Sequence, residues 1–84
     1  MKNACPCCGN LTINDVPPGT YEVCPVCGWE DDEVQFLDPN FSGGANRVSL
    51  ETARANYQEF GAVDRESKLA VRSPRDGEHP QNVK

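Results

Sequence analysis

The sequence predicts a small α+β domain built on a two-knuckle metal site, with short antiparallel strands and one main C-terminal helix. Three observations predict it. Four of the five cysteines fill the cysteine positions of two C-P-x-C-G units. Short stretches beside them place apolar residues at the strand period of two. One segment from Ser49 to Phe60 carries an apolar stripe at helical spacing.

The elements follow in chain order. Cys5-Pro6-Cys7-Cys8-Gly9 opens the chain, and Cys24-Pro25-Val26-Cys27-Gly28 repeats its pattern. The two-residue gap lets both thiolates of one turn face the same ion. The proline pre-sets φ at about −65° and brings no N–H. The glycine suits the positive φ that such a turn needs at its end. Between the knuckles, Leu11 with Ile13 and Tyr21 with Val23 each define one face of a short strand. The loop Val16-Pro17-Pro18-Gly19-Thr20 joins them. Val34, Phe36 and Leu37 read as a third short strand. Asp38-Pro39-Asn40 and Ser42–Asn46 read as loops around Phe41.

Ser49 is a good N-cap, and Glu51 places negative charge in the first helical turn. Leu50, Ala53, Tyr57 and Phe60 then fall on one apolar, core-facing stripe, and Gly61 is placed to end the helix in the left-handed conformation. Val63, Leu69 and Val71 read either as a short helix, which Asp64 would cap, or as an extended arm. From Ser73 the chain is almost free of apolar residues and is expected to be a mobile polar tail. The expected division is a metal-knuckle α+β domain over 1–72 and the tail over 73–84.

Fifteen residues separate Cys8 from Cys24. That matches the C-x2-C-x15–20-C-x2-C spacing of four-cysteine zinc sites. Cys5, Cys8, Cys24 and Cys27 are therefore the expected ligands of one zinc ion per chain, in a zinc-ribbon-like arrangement. Four thiolates close the tetrahedral shell, which makes such a site structural rather than catalytic. Rubredoxins hold iron on two C-x-x-C-G knuckles, and Cys-Pro-Val-Cys-Gly is similar to their second one. An iron electron carrier is thus the alternative use of the same cysteines, although rubredoxins separate their knuckles by a longer stretch. A thiol-redox site at Cys24-Pro25-Val26-Cys27 would need a βαβ context that this chain lacks. Cys7 reads as a small residue at the variable knuckle position, where Val26 stands in the second unit; a redox-sensitive thiol beside the site is its other reading.

Composition narrows the function. Three Phe, two Tyr, one Trp and one Met make a thin core for 84 residues, and domains of this size often need a staple. The length excludes two-domain enzymes. The net charge of −5 disfavours broad nucleic-acid binding and favours a basic protein partner. A zinc ion on four thiolates takes it to about −7. No apolar run reaches the length of a membrane span, and no apolar segment of the signal-peptide type follows Met1. The expected location is the reducing cytoplasm, where clustered thiols bind metal.

Trp29 follows the second knuckle and is expected to shield the sulfurs. The run Glu30, Asp31, Asp32 and Glu33 comes next; it reads as a solvated surface turn or, held in place beside Trp29, as the expected partner-binding surface, with Asp38 as an extension. It lacks the ligand alternation of an EF-hand. His79 is the lone histidine and lies in the tail, so no catalytic unit is expected. Gly43-Gly44-Ala45-Asn46 is too short for a phosphate loop. Arg47 and Arg54 are expected to pair locally.

The ordered motifs Cys-Pro-Cys-Cys-Gly, Cys-Pro-Val-Cys-Gly-Trp-Glu-Asp-Asp, Gly-Gly-Ala-Asn and Ser-Leu-Glu-Thr-Ala-Arg-Ala-Asn-Tyr-Gln-Glu-Phe-Gly resemble the bacterial cysteine-rich CPCC family from about Cys5 to Pro74. The resemblance implies a small zinc-ribbon-like domain, alone or as an appended module; it does not imply an enzyme activity. It also makes an immunity-type protein of a bacterial toxin system a candidate. The expected function is a non-catalytic structural-zinc module that binds a protein partner through an acidic surface. An immunity-type protein neutralising a toxin and a rubredoxin-like electron carrier are the alternatives.

Overall fold

The computed structural model describes residues 2–80. Strand β1 (Asn3–Ala4) pairs antiparallel with β2 (Leu11–Ile13), Asn3 opposite Ile13 and Ala4 opposite Leu11, with a register shift between the two pairs. The first knuckle is therefore the tip of a hairpin. The second knuckle repeats this on a smaller scale, because Val23 and Glu30 form an isolated antiparallel bridge across it. Leu11–Ile13 and Tyr21–Val23 were expected as a hairpin or as two separate short strands; Leu11–Ile13 is a strand, but Tyr21–Val23 is not its partner. Tyr21 has φ 58°, which breaks any strand there. Its N–H donates instead to the Asp31 carbonyl at 2.9 Å, and the Asp31 N–H returns to Glu22 at 2.9 Å.

The expected third strand is a helix. Helix α1 (Glu33–Leu37) starts because Asp32, extended at φ −103°, accepts the N–H groups of Val34 at 2.8 Å and Gln35 at 3.3 Å. Its apolar residues face outward: Val34 is 56% exposed and Leu37 71%. The residue it buries is the polar Gln35.

Helix α2 (Leu50–Phe60) forms as expected. Ser49 Oγ accepts the Thr52 N–H at 3.1 Å. Gly61 ends the helix at φ 86° and donates its N–H to the Tyr57 carbonyl. Leu50 and Ala53 are buried, and Tyr57 and Phe60 half-buried. Beyond α2, Val63 is buried and donates its N–H to the Cys27 carbonyl at 2.9 Å. A 3-10 turn, Ser67–Leu69, follows, entered through a hydrogen bond from the Ser67 N–H to Asp64 Oδ1 at 2.7 Å. Leu69 points into solvent.

The first part of the expected tail lies on the domain. The Arg72 N–H reaches the Pro25 carbonyl at 3.2 Å. The Arg72 guanidinium makes a two-pronged bond to Glu78, at 2.7 and 2.8 Å, across a 3-10 turn, Asp76–Glu78, that packs against β2. Residues 81–84 of that tail lie outside the described residues. The two isolated arginines find partners far off in the chain rather than local ones: Arg47 pairs with Glu66, and Arg54 donates to the Pro6 carbonyl at 3.0 Å.

The core gathers around sulfur. Cys5, Cys7, Cys24 and Cys27 pack with Ile13, Val26, Trp29, Leu50, Ala53 and Val63. Among the described residues no helix is long and apolar enough to cross a membrane.

Candidate metal centre

Each knuckle is built by its own backbone. The Gly9 N–H donates to the Cys5 carbonyl at 2.9 Å, and the Gly28 N–H to the Cys24 carbonyl at 2.8 Å. Both glycines take the positive φ the sequence predicts, 79° and 90°. At Gly28 a side chain would also crowd Ser67, whose Cβ lies 3.1 Å from where a Cβ would stand. The turns aim their thiols inward, and the four Sγ atoms of Cys5, Cys8, Cys24 and Cys27 lie within 4.8 Å of one another. Two separations are 3.6 Å, Cys5 to Cys27, and 3.8 Å, Cys8 to Cys24. A disulfide would bring sulfurs to about 2.05 Å. A tetrahedron of sulfurs at about 2.3 Å from zinc has edges of about 3.8 Å. The arrangement is that of a metal-binding tetrad.

As bare thiols, the four groups compete for protons. Cys24 is pulled well below the usual thiol range, chiefly by its hydrogen bond with Cys27. Cys5 and Cys27 are pushed far up, chiefly by their hydrogen bonds to Cys24. Four thiolates this close would need a cation between them. A divalent metal ion would supply that charge, and soft sulfur donors suit zinc or iron.

The supporting shell is dense. The N–H groups of Cys7 and Trp29 each approach the sulfur two residues before them, Cys5 and Cys27, at 3.4 Å. Thr12, buried on β2, holds its Oγ1 3.0 Å from Cys24 Sγ. Asn10 donates to the Tyr57 hydroxyl at 3.1 Å and so ties the first knuckle to α2. Trp29 is fully buried in the sulfur-centred core, as expected of a shielding residue. Cys7 is buried and free, and lies outside the tetrad.

The acidic run is corrected by the structure. Asp31 and Asp32 are buried, not displayed. Asp31 Oδ2 accepts the Thr20 N–H at 2.9 Å and its hydroxyl at 2.8 Å. Asp32 caps α1 with one oxygen and accepts the Ala45 N–H at 2.8 Å with the other. That amide, foremost, holds its carboxyl below the usual range. Gly44 must be glycine to allow this approach, since a Cβ there would lie 2.6 Å from the Asp32 carboxylate. Glu30 is half-buried, and Glu33 alone of the four is exposed.

Three residues in this architecture escaped the sequence. Thr12 reads only as a polar position in a strand. Gln35 and Asn46 form an internal amide pair: Asn46 donates its N–H and its Nδ2 to Gln35 Oε1 at 3.0 and 2.9 Å. Asn46 also accepts the Glu30 N–H at 2.8 Å and so links the strand leaving the second knuckle to the 41–48 loop. Neither residue carries a local signal, because every partner is distant in sequence.

Fold and site together define a small α+β mini-domain whose core is a four-cysteine cluster able to hold a metal ion. Within that class, the chain belongs to the cysteine-rich CPCC family, whose model matches residues 3–78. Comparison with curated proteins finds no match.

Proposed function

We propose that the protein is a non-catalytic module, folded around one structural zinc ion on Cys5, Cys8, Cys24 and Cys27, that docks onto a protein partner through an acidic surface. The observation that carries this reading is the tetrad itself: four sulfurs within 4.8 Å of one another in the sulfur-centred core. Four thiolates fill the coordination shell of zinc and leave no place for a substrate or water. Their burial makes the metal part of the folding free energy, at about 10–16 kcal/mol of apparent binding energy. The five free cysteines suit a reducing compartment such as the cytoplasm.

With Asp31 and Asp32 turned inward, the docking face moves onto α1 and its ends. Glu33 and Asp38 flank the exposed Val34 and Leu37 along the chain. An apolar pair rimmed by carboxylates on a chain of net charge −5 complements a basic partner.

Metal analysis tests the first half. The purified protein is expected to be colourless with about one zinc per chain, and chelation is expected to abolish its circular dichroism signature. A red protein with iron–thiolate bands would replace zinc by iron. Affinity capture followed by binding measurements tests the second half. Glu33→Lys with Asp38→Lys is expected to weaken the captured complex and remove its salt sensitivity. A partner held equally by both forms eliminates the acidic surface.

A further inference from the structure

The four ligand sulfurs are not equivalent. Three belong to buried residues, Cys5 at 2% exposure and Cys24 and Cys27 at 0%. Each of these three receives a hydrogen bond: Cys5 from the Cys7 N–H, Cys27 from the Trp29 N–H and Cys24 from Thr12. A metal-bound thiolate carries no proton, so the Thr12 hydroxyl must be the donor in its pair. Cys8 differs on both counts. It is half-buried. Among the described residues no N–H or O–H donates to its sulfur, whose one neighbour within hydrogen-bond range is the fellow ligand Cys24 at 3.8 Å.

Hydrogen bonds draw charge away from a thiolate, and burial keeps reagents out. Reactivity follows the charge that remains and the access to it. Resting on the metal reading above, we infer that Cys8 is the reactive thiolate of the metal-loaded site, the ligand that soft carbon electrophiles modify first. With iodoacetamide the step is a displacement. A lone pair on Cys8 Sγ forms the new S–C bond while the C–I bond breaks, and iodide leaves with that bonding pair. No proton or redox equivalent is needed. The product is a neutral thioether, so the cluster loses one negative charge and one strong ligand, and the metal is released. Because the tetrad is the centre of the core, modification at this one atom opens the fold.

The test uses the full-length zinc-loaded protein, its metal content first read by native mass spectrometry. Substoichiometric iodoacetamide is added, the label is located by tandem mass spectrometry, and released zinc is followed with a chromophoric chelator. Among the four ligands, Cys8 is expected to carry about tenfold more label than any other, with zinc release tracking it. The same order is expected in Cys7→Ala, where the fifth thiol is gone. Thr12→Val is expected to raise labelling of Cys24 about tenfold, and Thr12→Ser, which keeps the hydroxyl, to restore protection. First label on Cys5, Cys24 or Cys27, or zinc release that precedes labelling, overturns the inference. If Thr12→Val does not fold, the wild-type labelling order decides alone. A chain that holds no metal before reagent is added fails the metal reading instead, and the native mass shows that separately.

Discussion

Replacing Gln35 by methionine removes the hub of the 41–48 loop while keeping the shape of the side chain. Gln35 is fully buried. Its Nε2 donates to the carbonyls of Phe41 and Val48, both at 3.0 Å, and its Oε1 accepts two bonds from Asn46. After Gln35→Met, water can reach the exposed Phe41 segment, and Asn46 Nδ2 keeps its bond to the Glu30 carbonyl at 2.8 Å. The Asn46 N–H and the Val48 carbonyl are left without their partner. A buried polar group orphaned in this way costs about 1–3 kcal/mol, so the expected loss is about 3 kcal/mol. With a urea slope of about 1 kcal/mol/M for so small a domain, the unfolding midpoint falls by about 3 M. The assay is urea denaturation at fixed, buffered free zinc. The absorption spectrum of the cobalt-substituted protein is expected to stay unchanged, because Gln35 touches no ligand. A loss under about 1 kcal/mol would show that the amide network is worth no more than its hydration and refute the reasoning.

Other substitutions probe the remaining links. Gly28→Ala forces a left-handed backbone onto a residue with a Cβ and drives it against Ser67, so it is expected to cost more than the same change at Gly61. Gly61 has φ 86° with open space around it, and only the backbone cost of about 1–2 kcal/mol applies there; equal midpoints in thermal melts would deny the crowding at Gly28. Ser49→Ala removes the α2 cap and is expected to cost about 1 kcal/mol, read by the same melts. The Glu78 carboxyl is lowered from 4.5 to about 2, first by Arg72 and then by the Arg75 N–H. A depressed carboxyl stabilises above its ordinary pKa and loses that contribution as pH falls through the folded value. The clamp on residues 72–78 is therefore complete above pH 4.5 and weakens down toward about 2. Glu78→Gln is expected to make the Arg75–Asp76 bond more sensitive to trypsin at neutral pH, and an unchanged cleavage rate would mean that the ion pair does not hold this segment.

What the sequence determined by itself was whatever depends on neighbours in the chain. The knuckles were legible because a C-P-x-C-G turn is made by consecutive residues, with glycine at the one position that needs positive φ. Helix α2 was legible because its cap, its stripe and its left-handed stop are all local. The four cysteines of the cluster followed from spacing alone. The tertiary structure decided the rest. Leu11–Ile13 pairs with Asn3–Ala4, not with the segment after the loop, because Tyr21 turns away to meet Asp31. Val34, Phe36 and Leu37 looked like a strand because they are apolar, yet the side chain that α1 buries there is an amide. Asp31 and Asp32 looked like surface charge, yet their partners, Thr20 and Ala45, lie 11 and 13 residues away. A polar side chain is exposed by default, since burying it without partners is costly. Only the fold brings those partners together. It also separated Cys8 from the other three cysteines of the cluster, a distinction that no spacing of cysteines contains.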